Sequence, residues 1–162
     1  ERAGRCDALV TECPGIALAV MVADCVPILM ADTRRGVVAA VHAGRNGTLL
    51  DIAPKTVVHM AKRYGCDPRD IEVWMGPAIG VCCYEVSEEI ATIVGKSVGE
   101  KYVNGRYLDL KSLNRDRLIA VGVLPEHIMI SDVCTCCDLD YFSYRRDGVT
   151  GRFAGVIALQ EV

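Results

Sequence analysis

Two short motifs, Ala23-Asp24-Cys25 and His42-Ala43-Gly44, each stand where an apolar run stops and polar chemistry begins. The first run is Ile16 to Val22 and the second is Gly36 to Val41. Their length and β-branched content predict strands buried on both faces. If the two strands are neighbours in one sheet, a thiol and an imidazole emerge side by side at one end. That is the arrangement of a metal site or of a Cys/His catalytic pair. A Cys after an apolar run is more often a small core residue than a ligand. What raises this pair is the glycine-punctuated turn Gly44-Arg45-Asn46-Gly47-Thr48 ahead of a helical pattern, where amide donors and a cation suit an anion.

The 162 residues allow one domain with a sizeable core, and 51% hydrophobic with 24% charged residues is ordinary globular composition. A net charge of -3 argues against nucleic-acid binding driven by overall charge. The sequence has no long uninterrupted apolar span, no signal peptide and no lipidation motif, so a cytoplasmic location away from membranes is expected. The chain begins with Glu1, which predicts processing or truncation. Nine cysteines, an odd number with adjacent pairs, do not resemble a secreted disulfide framework. Cys134 and Cys137 form a C-x-x-C that suits redox chemistry or half a zinc site, but no second C-x-x-C or paired His answers it. Reduced thiols are the expectation.

Along the chain, Asp7 to Thr11 reads as a short strand, and Pro27 to Asp32 as another, joined by Thr33-Arg34-Arg35-Gly36 to the strand carrying His42. Asp51 to Tyr64 reads as an amphipathic helix with Asp51 as N-cap, Pro54 in the first turn, Ala53, Val57, Met60, Ala61 and Tyr64 inward, and Gly65 as its stop. Ile71 to Met75 is a strand, Ser87 opens a second helix to about Val98, and Asn104-Gly105 predicts a two-residue hairpin. Asp109 caps a third helix with Lys111, Arg115 and Arg117 outward. Ile128 to Ile130 and a run through Val156-Ile157 are the last strands. Strands outnumber helices without strict alternation, which predicts an α+β fold with mixed sheets.

Taken together, several motifs resemble one family. They are Ala23-Asp24-Cys25-Val26-Pro27, His42-Ala43-Gly44, Gly76-Pro77-Ala78-Ile79-Gly80 followed by Cys83-Tyr84-Glu85-Val86, Cys134-Thr135-Cys136-Cys137, Ser143-Tyr144-Arg145-Arg146 and Thr150-Gly151-Arg152. In this order over residues 7 to 160, they are similar to the YfiH family, also called polyphenol oxidase or laccase-domain proteins. The resemblance implies a single domain over 1–162 with a four-layer α/β/β/α arrangement, apparently lacking the family's N-terminal segment. It implies purine nucleoside phosphorylase activity on adenosine, inosine, guanosine and methylthioadenosine, with adenosine deaminase activity. It also implies a zinc held by one Cys and two His, of which Cys25 and His42 match. The third falls upstream of this chain, and His59 and His127 match non-ligand positions. The family's turn is Gly-Trp-Arg-Gly, so the arginine at Arg45 stands one place earlier.

Catalytic candidates are therefore Cys25, His42 and Asp24, the last as an orienting group. Arg45, Arg145, Arg146 and Arg152 are candidates to hold phosphate, with Glu85 as a substrate-contacting or acid/base group. Purine nucleoside and phosphate are the expected partners, and monomer and homodimer are both open. Three other readings stand beside this one. A copper polyphenol oxidase is the first, although three histidines without a His-x-His are few for a multicopper cluster. A metal-free hydrolase with Cys25 as nucleophile and His42 as base is the second. The third is a truncated, non-catalytic member.

Overall fold

The computed structural model describes residues 4–160. Among the described residues nine strands form, namely β1 (Ala8–Thr11), β2 (Ala17–Val22), β3 (Val26–Asp32), β4 (Val37–Ala43), β5 (Glu72–Met75), β6 (Val103–Asn104), β7 (Tyr107–Leu108), β8 (Ile128–Ile130) and β9 (Phe153–Ala158). The helices are α1 (Arg45–Leu49), α2 (Ile52–Tyr64), α3 (Glu88–Val98), α4 (Leu110–Ala120) and α5 (Tyr144–Asp147).

The central element is the β3–β4 hairpin. Asp32 closes it by accepting the amides of Arg34 and Arg35, each at 3.0 Å, and Gly36 takes the left-handed conformation at φ 61° that completes the turn. Around it the five-stranded sheet runs β1-β4-β3-β5-β8, antiparallel except for the β5–β8 pair, so the expected mixed sheet is present. β2 does not join this sheet. It pairs antiparallel with β9, Ala17 opposite Ala158 through Val22 opposite Phe153, as a separate two-stranded ribbon. The apolar run at 16–22 was expected to be buried on both faces, but its residues alternate between exposed and buried. Small Ala17 and Ala19 make it read as continuously apolar while only Leu18, Val20 and Val22 turn inward.

Period-two alternation sorts the central sheet into two cores. Val26, Ile28, Met30, Val37, Ala39 and Val41 face α2 and α4, meeting Ala53, Val57, Met60 and Leu118 in the larger cluster. Full burial of each Ile or Met of this set contributes about 1.5–3 kcal/mol relative to exposure. Leu29, Ala31, Val38 and Ala40 face the β2–β9 ribbon and meet Leu18, Val20 and Ile157. Gly155 lets β9 approach closely, since a Cβ there would lie 3.1 Å from Pro27 Cβ. The described residues thus build helix, sheet and ribbon layers, and no described helix covers the ribbon's outer face, where Met21 and Val156 are exposed. The fold is the expected α+β class; the fourth layer is not seen among the described residues.

Local chemistry departs from expectation in three places. Asp51 sits at the N-cap of α2 in the left-handed region at φ 59°, and its side chain pairs with Arg117 at 3.5 Å instead of capping. The small hairpin pairs Asn104 with Tyr107, so its two-residue loop is Gly105-Arg106, one residue later than expected. Lys111 is drawn in from the solvent face of α4 and donates to the carbonyls of Ser131 and Val133 at 2.7 and 2.8 Å. The expected caps Ser87 and Asp109 hold, and Ser143 caps α5 in the same way, each side chain accepting the amide three residues on.

Candidate active site

The hairpin register explains how Cys25 and His42 meet without the neighbouring strands first expected of their two apolar runs. β3 and β4 pair Pro27 with His42 and Val26 with Ala43, which sets Cys25, one residue before β3, beside Gly44, one residue after β4. A Cβ built on Gly44 would lie 3.0 Å from Cys25 Sγ and 3.7 Å from His42 Cε1, so the glycine occupies the space between thiol and imidazole. His42 shares the parity of Val38 and Ala40 and so projects at the open end of the cleft between sheet and ribbon.

On its other side β4 pairs with β1. The amide of His42 donates to the Asp7 carbonyl at 2.7 Å, one step beyond the Ala8–Val41 pair, and the Asp7 carboxylate meets His42 Nδ1 at 3.1 Å. That contact leaves Nε2 for a ligand or a proton. Burial pushes the Cys25 thiol up, and the carboxylate of Asp24 adds to the shift while Arg152 opposes it.

Asp24 does a different job from the one expected. It is buried with φ 85°, and its carboxylate accepts from the Thr135 hydroxyl and from the amide of Arg145, each at 2.7 Å. It therefore ties the loop after β8 and the start of α5 to the start of β3, and neither of these bonds goes to Cys25 or His42. Through this tie Arg145 reaches the pocket, where its guanidinium donates to the carbonyls of Cys83 and Glu85 and lies 5.3 Å from the Tyr84 ring centre.

These groups surround one pocket of about 600 Å³, lined by Asp7, Asp24, Cys25, His42, Arg45, Tyr84, Arg145 and Arg152 among others. That volume is within the range of small-molecule sites. Burial pushes the Tyr84 hydroxyl up, with Arg45 opposing. The expected glycine turn is itself helical, since α1 begins at Arg45 directly after its N-cap Gly44.

Two expected residues stand outside this pocket. Arg146 donates to the carbonyls of Thr135, Cys136, Asp138 and Tyr141 and pairs with Asp147, so its guanidinium is consumed in holding its own loop. The Glu85 carboxylate pairs with Arg106. His59 lies on the exposed side of α2, and His127 in a 3₁₀ turn before β8, both away from the pocket lining.

Residues 1–160 match the family described as multi-copper polyphenol oxidoreductase laccase. The chain belongs to this laccase-domain family. It is 43% identical over 157 residues to a purine nucleoside phosphorylase of Corynebacterium glutamicum, covering 94% of this chain and 63% of that protein. It is 39% identical to purine nucleoside phosphorylase YlmD of Geobacillus stearothermophilus, covering 96% of this chain and 60% of the relative. The crystal structure of the Bacillus licheniformis hypothetical protein YfiH superposes with a TM-score of 0.89 at 38% identity, over 95% of this chain and 61% of that one. That of YlmD gives 0.88 at 39% identity. This laccase-domain chain therefore spans just over three-fifths of the length of these relatives.

Asp7 and Tyr84 were not singled out from sequence. Asp7 meets His42 across 35 positions of sequence through the β1–β4 pairing, which no local pattern carries. A further group, the thiols of Cys82, Cys83, Cys134 and Cys137, also converges, with all four sulfur atoms within 4.8 Å of one another. The C-x-x-C that lacked an answer in sequence is answered in space by an adjacent pair some fifty residues earlier.

Proposed function

We propose that this laccase-domain chain is the catalytic unit of a zinc-dependent purine nucleoside phosphorylase acting on adenosine, inosine, guanosine and methylthioadenosine, with adenosine deaminase activity in the same pocket. The observation that carries this reading is the convergence of Cys25 and an Asp7-held His42 with Arg45, Arg145 and Arg152 around one cavity of nucleoside size. Its similarity to purine nucleoside phosphorylases supports it.

In phosphorolysis a phosphate oxygen bonds to the ribose C1′ as the C1′–N9 bond breaks, giving ribose 1-phosphate and the free purine, which takes up a proton. Arg45, Arg145 and Arg152 supply the bidentate donors that a dianionic nucleophile needs. Arg146 is withdrawn from that set because its Nε, Nη1 and Nη2 are all engaged, whereas Arg145 and Arg152 line the pocket and spend only Nη1 on backbone carbonyls, and Asp24 acts by fixing Arg145. The half-buried face of Tyr84 offers a stacking surface for the base.

The donor chemistry fits zinc, with Cys25 Sγ and His42 Nε2 as ligands and Asp7 as the carboxylate that orients the imidazole. When bound there, the ion supplies Lewis acidity to the pocket. Cys25 and His42 are two donors, and we assign the third to a residue outside those described. A copper cluster would need several imidazoles, and among the described residues His42 alone lines this pocket. The Asp7–His42 contact would equally orient a base for a cysteine nucleophile, and metal analysis separates that hydrolase from the zinc enzyme. No described helix is long and apolar enough to cross a membrane, and we place the activity in the cytoplasm, where thiols stay reduced.

The test combines elemental analysis with chromatography of inosine or adenosine incubated with and without phosphate. Zinc with phosphate-dependent release of free base is expected. Base release without zinc would contradict the reading.

A further inference from the structure

We infer that Cys82, Cys83, Cys134 and Cys137 form a second metal site, a tetrathiolate zinc centre separate from the pocket, which staples together the loops that follow β5 and β8. The sulfur of Cys137 lies 3.8 Å from that of Cys82 and 3.4 Å from that of Cys83, and all four lie within 4.8 Å of one another. A tetrahedral zinc with Zn–S bonds of about 2.3 Å requires S···S separations of roughly 3.8 Å, so the thiols already stand near the corners of such a site.

The backbone is shaped around this point. Cys83 and Tyr84 amides both fold back on the Gly80 carbonyl, and the Cys137 and Asp138 amides fold back on the Cys134 carbonyl, forming two facing turns. A bridge pairs Ala78 with Cys134 and joins the turns. The Gly80 amide donates to Cys134 Sγ at 3.2 Å, the kind of donor that orients a thiolate ligand. A Cβ on Gly80 would come within 3.2 Å of Cys82 Sγ and 3.5 Å of Cys134 Sγ, so the glycine keeps the site open. Four thiolates around a divalent ion leave a net charge of minus two. The Lys111 ammonium is anchored on the carbonyls of Ser131 and Val133, in the loop that leads directly to Cys134, and brings a positive charge to that side.

A disulfide explains less. Disulfides, with S–S bonds of about 2.05 Å, would pull the sulfurs together two by two, whereas the four stand mutually spaced as around a single ion. A zinc uses all four, and its consequence reaches the pocket. Cys83 is followed by Tyr84, its carbonyl receives Arg145, and Thr135 between the two later ligands bonds Asp24. The centre would therefore set the pocket wall without touching substrate.

The site is tested in a Cys25→Ser/His42→Ala protein, which removes the pocket donors, so its result is independent of the proposed phosphorylase activity. Purified from zinc-supplemented cells under reductant, this protein is expected to keep about one zinc per chain, with X-ray absorption showing sulfur-only coordination at about 2.3 Å. Cobalt substitution should give the visible bands of a tetrahedral thiolate site. Adding Cys134→Ser and Cys137→Ser should abolish that zinc. Because the absorption and cobalt spectra need no change in the cluster, misfolding of the cluster variants does not remove the test. Absence of zinc from the Cys25→Ser/His42→Ala protein, nitrogen or oxygen ligands in its spectra, or a disulfide among these four cysteines in its peptide map would overturn the inference.

Discussion

Asp7 grips the Nδ1 edge of His42 from a neighbouring strand, which fixes both the tautomer and the direction of Nε2. Removing that grip with Asp7→Ala should weaken zinc binding by about 10–100-fold, the usual effect of losing a carboxylate behind a metal-bound histidine. Competition against a chromophoric chelator measures it, and an unchanged affinity would mean that His42 is no ligand. The two adjacent arginines should part company in the same way. Arg145→Ala should raise the KM for phosphate while the melting temperature holds within a few degrees. Arg146→Ala strands several carbonyls and should instead cost about 1–3 kcal/mol of stability, seen as a lower denaturation midpoint. A phosphate KM that shifts only in Arg146→Ala would reverse the assignment. Gly44 offers a third contrast, because a methyl group there presses on Cys25 Sγ at 3.0 Å while its φ of -75° suits any residue. Gly44→Ala should lose metal and turnover with its fold retained, as circular dichroism would show.

Among the elements, the β3–β4 hairpin carries both site and core. Ile28→Ala on its helix-facing side should cost about 2–5 kcal/mol in denaturant unfolding, since the fully buried side chain leaves a cavity among Met30, Val41 and Met75. A cost below 1 kcal/mol would show the core collapsing around the gap. Much of this scale was legible in the sequence. The strand from Val26 to Asp32, α2 with its Gly65 stop, and the Ser87 and Asp109 caps follow from local chemistry, which a single chain displays. What was not legible depends on partners distant in sequence. The runs ending at Asp24 and His42 look alike, yet only the second lies inside the five-stranded sheet, and β2 finds β9 some 130 residues later. Lys111 looked like a solvent-facing helix residue until the loop after β8 presented its carbonyls. The thiol cluster was hidden for the same reason, as neither half has a complete ligand spacing of its own.

On the scale of the molecule, a sheet covered by helices on one face and by a ribbon on the other leaves a cleft whose open end holds the pocket. The cysteine cluster braces the loops at that end, so the two proposed metal centres act on one pocket, one through its ligands and the other through its walls. The relatives' greater length and the two-donor pocket together predict that a form extended to the relatives' length binds pocket zinc far more tightly than the 162-residue chain. The central claim is that this pocket performs phosphorolysis through Cys25 and His42. The most direct measurement is product analysis of inosine incubated with the extended form and its Cys25→Ser variant, with and without phosphate. Hypoxanthine and ribose 1-phosphate are expected in equal amounts, only with phosphate present and only from the unsubstituted protein. Hypoxanthine released without phosphate, or undiminished turnover by Cys25→Ser, would contradict that claim.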